Sequence, residues 1–170
     1  MNILETERLI LREFKTGDAG FILELLNNPT WLQFIGDRGV KTIDDAGKYI
    51  SDKLINSYTT NGFGLYMTIL KNGNIPIGMC GLIKRDTLED VDIGFALSPA
   101  FTGKGYAFEA AFATLNYAKN VLKLQRIIAI TTADNTNSIN VLKKLNLNFE
   151  NMVRLPNDDA ELMLFSNIKT

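Results

Sequence analysis

From Thr6 to Phe14 the chain alternates, with Leu9 and Leu11 pointing one way and Arg8, Ile10 and Arg12 the other. That period of two predicts a strand with one buried face. Phe21, Ile22, Leu25 and Leu26 then recur at helical spacing over residues 17–27, and Asn27-Asn28-Pro29 is a natural stop. Thr42-Ile-Asp-Asp45 reads as a capping box with Asp in place of Glu, opening a helix that runs to about Tyr58. Apolar runs from Phe63 to Leu70 and from Ile75 to Lys84 flank Lys71-Asn-Gly-Asn74, a hairpin signal with Asn-Gly at its centre. Val91 to Leu97 continues the run as a third strand beyond the polar turn from Asp86 to Asp90.

After Leu97 the pattern changes. Phe108, Ala111, Phe112, Leu115 and Ala118 form one stripe on a helix predicted from Gly105 to Val121. Arg126 to Thr132 is rich in β-branched residues and reads as a strand. Ser138 to Leu145 is a short helix stopped by Asn146, a residue that tolerates the left-handed conformation. Phe149–Leu155 and Glu161–Ile168 close the chain as a hairpin over Pro156-Asn-Asp-Asp159. The predicted order is β-α-α-β-β-β-α-β-α-β-β. Antiparallel strands followed by a β-α-β crossover imply an α/β (α+β) fold with a mixed, mostly antiparallel sheet flanked by helices. No repeat or linker interrupts the 170 residues, so one domain over 1–170 is the expectation.

Composition narrows the chemistry more by what is missing than by what is present. Eighteen Lys and Arg nearly balance nineteen Asp and Glu, which leaves no electrostatic footprint for nucleic acid or an anionic membrane. The absence of histidine excludes Ser-His-Asp and Cys-His nucleophiles and every metal site that needs imidazole, so no metal is expected. Cys80 is the one cysteine; it sits in an apolar run without a cationic neighbour and reads as inert core. No apolar stretch approaches the ~18 residues of a membrane span, and the first residues lack a signal-peptide core. A cytoplasmic protein is the expectation.

Candidate chemistry gathers where the third strand meets the next helix. The strand ends at Leu97, Ser98-Pro99 breaks it, and Gly103-Lys104-Gly105 leads straight into the helix. Glycines let backbone N–H groups approach a ligand closely, and the first turn of a helix offers unpaired N–H groups with a partial positive charge. Lys104 adds a full charge beside that turn. This combination suits a pyrophosphate; a tight strand-to-helix turn with no ligand is the plainer alternative. A P-loop is excluded because its Gly-Lys-Ser/Thr ending is absent, and Phe108 stands where a Rossmann turn needs a small residue.

Asp92-Ile-Gly94 followed by Pro99-Ala-Phe-Thr-Gly103-Lys-Gly105-Tyr-Ala-Phe-Glu109-Ala110 resembles motif A of the GNAT acetyltransferase superfamily. More particularly it is similar to the ribosomal-protein N-terminal acetyltransferase branch. Asn135-Thr-Asn-Ser138-Ile-Asn-Val-Leu-Lys-Lys-Leu-Asn-Leu147 and the opening Thr6-Glu-Arg8-Leu-Ile-Leu-Arg12 resemble two further motifs of that branch, in the same order. The sequence departs from the pattern at Ala100, where the superfamily prefers Gln or Arg, at Thr102 in place of Trp, and at Asn146 in place of Gly. Asp92 is one methylene shorter than the Glu often found at its position.

The resemblance implies an acyl-CoA N-acyltransferase fold in which acetyl-CoA, as cosubstrate, rests its pyrophosphate on Thr102, Gly103, Lys104, Gly105, Tyr106 and Ala107. Its pantetheine arm would lie along Phe95, Ala96 and Leu97, with Asn135 hydrogen-bonding a pantetheine amide and Ser138 also contacting the cofactor. An amine acceptor, either a peptide N-terminus or a small molecule, would attack the acetyl carbon directly. Asp92 is the candidate base and Ser138 the candidate acid for the leaving thiolate. A solvated strand-end acid paired with a nearby Lys or Arg is the alternative for Asp92, and helix capping is the alternative for Asn135 and Ser138. Trp31, Phe34 and Tyr58 are the candidate walls of the acceptor pocket. A catalytically silent acyl-CoA-binding module is the competing function, and a homodimer is left open as an assembly.

Overall fold

The computed structural model describes residues 2–156 and 158–168. Eight strands form one sheet: β1 (Asn2–Glu5), β2 (Leu9–Arg12), β3 (Leu65–Leu70), β4 (Ile75–Ile83), β5 (Val91–Leu97), β6 (Ile127–Thr132), β7 (Asn148–Val153) and β8 (Leu162–Ser166). Their order across the sheet is β1-β2-β3-β4-β5-β6-β8-β7, antiparallel throughout except between β5 and β6. The mixed, mostly antiparallel architecture expected from the periodicity is the one observed.

Two helical layers cover the sheet. Helices α5 (Tyr106–Asn120) and α6 (Thr136–Lys144) pack over Leu9, Leu11, Tyr66, Ile77, Leu82 and Ile93. On the opposite face lie α1 (Ala19–Asn27), α2 (Pro29–Phe34) and a long helix made of α3 (Ile43–Tyr49), a π-helical segment (Ile50–Ile55) and α4 (Asn56–Asn61). They bury Ile22, Leu25, Trp31, Ala46, Ile50 and Leu54 against Met67, Ile69 and Met79. Leu9 and Leu11 are fully buried, as their alternation demands.

Local signals behave as their chemistry dictates. Thr42 Oγ1 accepts the Asp45 N–H at 3.0 Å while the Asp45 carboxylate accepts the Thr42 N–H at 3.1 Å, closing the capping box. Asn146 takes a left-handed φ of 62° behind α6. Asn28 ends α1 but also starts α2, because its side chain accepts the Trp31 N–H at 2.8 Å and Pro29 fits the first helical position. A stop signal therefore hides a second helix.

Three expectations need correction. The strand expected over 6–14 spans only Leu9–Arg12, and an unforeseen strand precedes it: residues 2–5 fold back on β2 through a turn held by the Thr6 N–H on the Leu9 carbonyl. The buried stripe of α5 is Ala110, Ala111, Thr114, Leu115 and Ala118, whereas Phe112 is 51% exposed and stacks on Phe108. Small residues facing the sheet let the helix sit close to it. The closing hairpin exists, but β8 lies inside it between β6 and β7, and Asn157 of its proposed turn lies outside the described residues.

Candidate functional site

Strand β5 is fully laddered to β4, from Asp92 opposite Ile83 to Leu97 opposite Gly78. Its other edge meets β6 only at Val91–Ile127 and Asp92–Ile128. Beyond those two pairs the strands part, so backbone groups of Ile93 to Leu97 face a slot rather than a neighbour. Gly78 keeps β5 close to β4 on the other side: a Cβ there would stand 2.2 Å from the Ala96 carbonyl oxygen. The slot belongs to a cleft of about 1150 Å³ that runs through the sheet from the mouth of α5 to α2 and the π-helical segment.

At one end of the cleft stands the mouth of α5. Gly103 and Gly105 both adopt left-handed backbones, with φ of 74° and 83°. A Cβ on Gly103 would meet nothing within 4 Å, so the loop leaves open space in front of the helix. The Glu109 N–H bonds back to Gly105, leaving the N–H groups of Tyr106, Ala107 and Phe108 as the unpaired donors of the first turn. An open concavity, unspent donors and the positive helix end fit a diphosphate.

Most of the residues expected in the site come together. Phe95, Ala96, Leu97, Thr102, Gly103, Gly105, Tyr106, Ala107, Asn135 and Ser138 all line the cleft, as do Asp92, Trp31 and Phe34. Lys104 does not: it is exposed, and its Nζ lies 5.9 Å from the Phe101 ring. Tyr58 stands apart as well. Its hydroxyl accepts the Phe14 N–H and donates to the Leu65 carbonyl, and its ring stacks on Tyr66 at 5.4 Å, so it braces the sheet instead of walling the pocket.

Asp92 is paired with an arginine, as one of its two sequence readings expected, but it is buried and not solvated. It is 1% exposed, and Arg85 Nε donates to its carboxylate at 2.6 Å. Burial pushes its carboxyl above the ordinary value, and the charge and hydrogen bond of Arg85 draw it only part of the way back. Asn135 does cap α6, accepting the Ser138 N–H at 3.3 Å. The Ser138 hydroxyl itself has no partner among the described residues.

Sequence reasoning missed the group that shapes the helix mouth. Glu109 in the first turn of α5 accepts from the Thr6 hydroxyl, the Arg8 N–H at 2.9 Å and Arg8 Nε at 2.6 Å. Arg8 Nη1 donates to the Lys104 carbonyl at 3.1 Å, and its guanidinium lies 4.4 Å from the Tyr106 ring centre. The opening motif and the glycine-turn motif are thus one contact in space. Arg85 was missed too, because it sits in an irregular turn with no periodicity to single it out. Among the described residues no three His, Cys, Asp or Glu side chains gather as a metal site, and no helix is long and apolar enough to cross a membrane.

These features have counterparts in known proteins. The acetyltransferase (GNAT) domain family matches residues 8–148. The uncharacterized N-acetyltransferase YnaD of Bacillus subtilis is 30% identical over 147 residues, which cover 86% of this chain and 83% of that protein. The crystal structure of a GNAT-family acetyltransferase from Bacillus anthracis is 27% identical and superposes with a TM-score of 0.79, covering 98% of this chain and 97% of that one. The fold is shared with RimL, a ribosomal L7/L12 alpha-N-protein acetyltransferase solved with coenzyme A, at a TM-score of 0.81, 19% identity and 99% and 98% coverage. A sheet parted at β5 and β6, a glycine-shaped helix mouth beside the gap and a family match over most of the length lead to one conclusion: the chain belongs to the GNAT acetyltransferases.

Proposed function

We propose that the chain moves the acetyl group of acetyl-CoA onto a primary amine by direct attack, in the manner of the ribosomal-protein N-terminal acetyltransferase branch. Bound acetyl-CoA supplies the activated thioester. The observation that carries the proposal is the continuity of the cleft, which links the open helix mouth, the unpaired edge of β5, Asp92 and Ser138 in one space.

Backbone N–H groups from Gly103 to Phe108 hold the diphosphate, and the free edge from Ile93 to Leu97 pairs with the amides of the pantetheine arm. A main-chain N–H on that edge stabilises the negative charge that develops on the thioester oxygen. Asp92, directly or through water, takes the proton that the amine loses as its nitrogen bonds to the acetyl carbon. Ser138 protonates the sulfur as the C–S bond breaks and is reprotonated from solvent. A raised carboxyl pKa suits this work, because a free aspartate near ~3.9 is a poor base at neutral pH. Trp31 and Phe34 shape the acceptor side, and the whole of 1–170 acts as one transferase domain.

The test is thiol release from acetyl-CoA across peptide, polyamine and small-molecule amines. Silence with every acceptor, alongside tight acetyl-CoA binding, would return the chain to a silent acyl-CoA module. Gly103→Asp places a negative side chain in the cradle and is expected to remove the thermal shift given by acetyl-CoA. Gly103→Asn, neutral and tolerant of the left-handed backbone, is the control and should keep most of it.

A further inference from the structure

The acceptor end of the cleft is polar where an apolar amine would need it greasy. From α3 and the π-helical segment it is faced by Tyr49, Asp52 and Lys53, and from the flanking loops by Arg38 and Arg85. Two of these cations hold unspent donors. Arg85 has only 28% of its side chain exposed, yet it commits Nε alone to Asp92; its two terminal nitrogens have no partner among the described residues. Arg38 is exposed and makes neither a side-chain hydrogen bond nor an ion pair among the described residues, although Asp37 is its sequence neighbour and pairs with Lys41 instead.

Tyr49 lines the same cleft. Burial pushes its pKa up, and Arg38 and Arg85 are both close enough to draw it back. It too lacks a hydrogen-bond partner among the described residues. Two guanidinium forks and a phenol therefore line the same cleft as the carboxylate that would receive the acceptor's proton, and Arg85 touches that carboxylate directly. A partly buried guanidinium with free terminal N–H groups is matched by a planar or tetrahedral oxyanion, which takes two parallel hydrogen bonds from it.

Resting on the transferase reading above, we propose that Arg38, Arg85 and Tyr49 form an anion subsite that selects an acceptor with a carboxylate or phosphate a few bonds from its amine. Because Arg85 touches Asp92, an anion held on the outer nitrogens of Arg85 sets the neighbouring amine beside Asp92. Asp52 and Asp86 also face the cleft, so the selectivity comes from the guanidinium geometry and not from a net positive field.

The experiment compares acceptors matched except for the anion: free α-amino acids against their carboxamides, and 2-aminoethyl phosphate against ethanolamine. Thiol release is measured at saturating acetyl-CoA. The amine of a carboxamide is the less basic of its pair and so more of it is neutral, which makes any preference for the free acid a binding effect. The expected result is kcat/KM at least about tenfold higher for one of the anions, with the two arms separating carboxylate from phosphate. Arg38→Gln should collapse that ratio about tenfold through KM, while the thermal shift given by acetyl-CoA persists. Equal or better turnover of the neutral partners or of spermidine, or an unchanged ratio in Arg38→Gln, overturns the subsite and leaves the transferase standing. Where no acceptor turns over, calorimetry with N-acetyl amino acids and their amides in the presence of CoA decides it, and equal affinities overturn it. Absence of both acetyl-CoA binding and thiol release sinks the transferase reading itself.

Discussion

At Asp92 two influences oppose each other: burial disfavours the carboxylate, and the Arg85 guanidinium at 2.6 Å favours it. Burial is the stronger, so the proton is held to a higher pH than on a free aspartate. A base works only when deprotonated, so log kcat/KM is expected to rise with pH through the raised Asp92 value and then level off. Arg85→Gln removes the favourable charge and should move that limb to higher pH. Asp92→Asn should lower kcat by about 100-fold and flatten the limb. A pH profile of Asp92→Asn that keeps the wild-type limb would remove Asp92 from the mechanism. The candidacy of Asp92 was legible in the sequence, because its motif marks it, whereas its partner Arg85 was not. The side chain of Lys104 is exposed and outside the cleft lining. Sequence proximity put its charge in the cradle, but the guanidinium that braces the loop belongs to Arg8, almost a hundred residues away. Contacts across such a separation leave no trace in local spacing.

Among the elements, those with a clean period were readable and those whose form depends on neighbours were not. Strands β3, β4 and β5 and helix α5 fall close to their predicted bounds because apolar runs and the turn signals between them mark their ends, although the buried stripe of α5 differs from the expected one. Strand β1 is four residues long with both ends exposed, so it carries no alternation and exists through its pairing with β2. The π-helical segment within the long helix has no sequence signal, and it carries Asp52 and Lys53 into the cleft. The parting of β5 from β6 leaves no mark in periodicity, since a free strand edge is a tertiary fact, and only the family resemblance, which lays the pantetheine arm along Phe95 to Leu97, anticipated it. One element does record it: Gly78 in β4 lies where any Cβ would meet the Ala96 carbonyl oxygen at 2.2 Å. Gly78→Ala must therefore push β5 toward the slot, because backbone cannot yield as a side chain does. The expected outcome is a loss of about 2 kcal/mol in chemical denaturation, together with weaker acetyl-CoA binding in the fraction that folds. Wild-type stability and affinity in Gly78→Ala would show that β5 has room to move and that its place does not define the slot.

Across the whole molecule two ion clusters fix the cleft from opposite ends. At the helix mouth, burial pushes the Glu109 carboxyl up, but the hydrogen bonds from Thr6 and Arg8 outweigh it and hold the pKa below its ordinary value. A depressed carboxylate contributes stability above its unfolded pKa of about 4.3, and that contribution is lost as pH falls through the lower folded value. Melting temperature should accordingly drop in acid, and Glu109→Gln should show a shallower drop from a lower plateau. At the closed end, Arg126 Nε bonds Asp90 at 2.9 Å, its Nη1 and Nη2 grip Glu150 at 2.8 and 2.7 Å, and Nη1 reaches Ser166 at 2.9 Å. One guanidinium thereby ties the loop before β5 to β7 and β8, one residue from the Val91–Ile127 pair where the sheet begins to part. The sheet is thus pinned at the end opposite to the one where it opens. Arg126→Lys keeps the charge but loses the planar fork, and Arg126→Met loses both and leaves two carboxylates facing each other without a cation. Melting temperature is expected to fall by a few degrees in Arg126→Lys and further in Arg126→Met, with acetyl-CoA affinity falling in the same order as the angle between β5 and β6 loosens. Raising the salt should narrow the stability gap to wild type, since the cluster is partly exposed and its charges are screened. Should Arg126→Met melt and bind as the wild type does, the pin is ornamental and the strand gap is held by the apolar core alone.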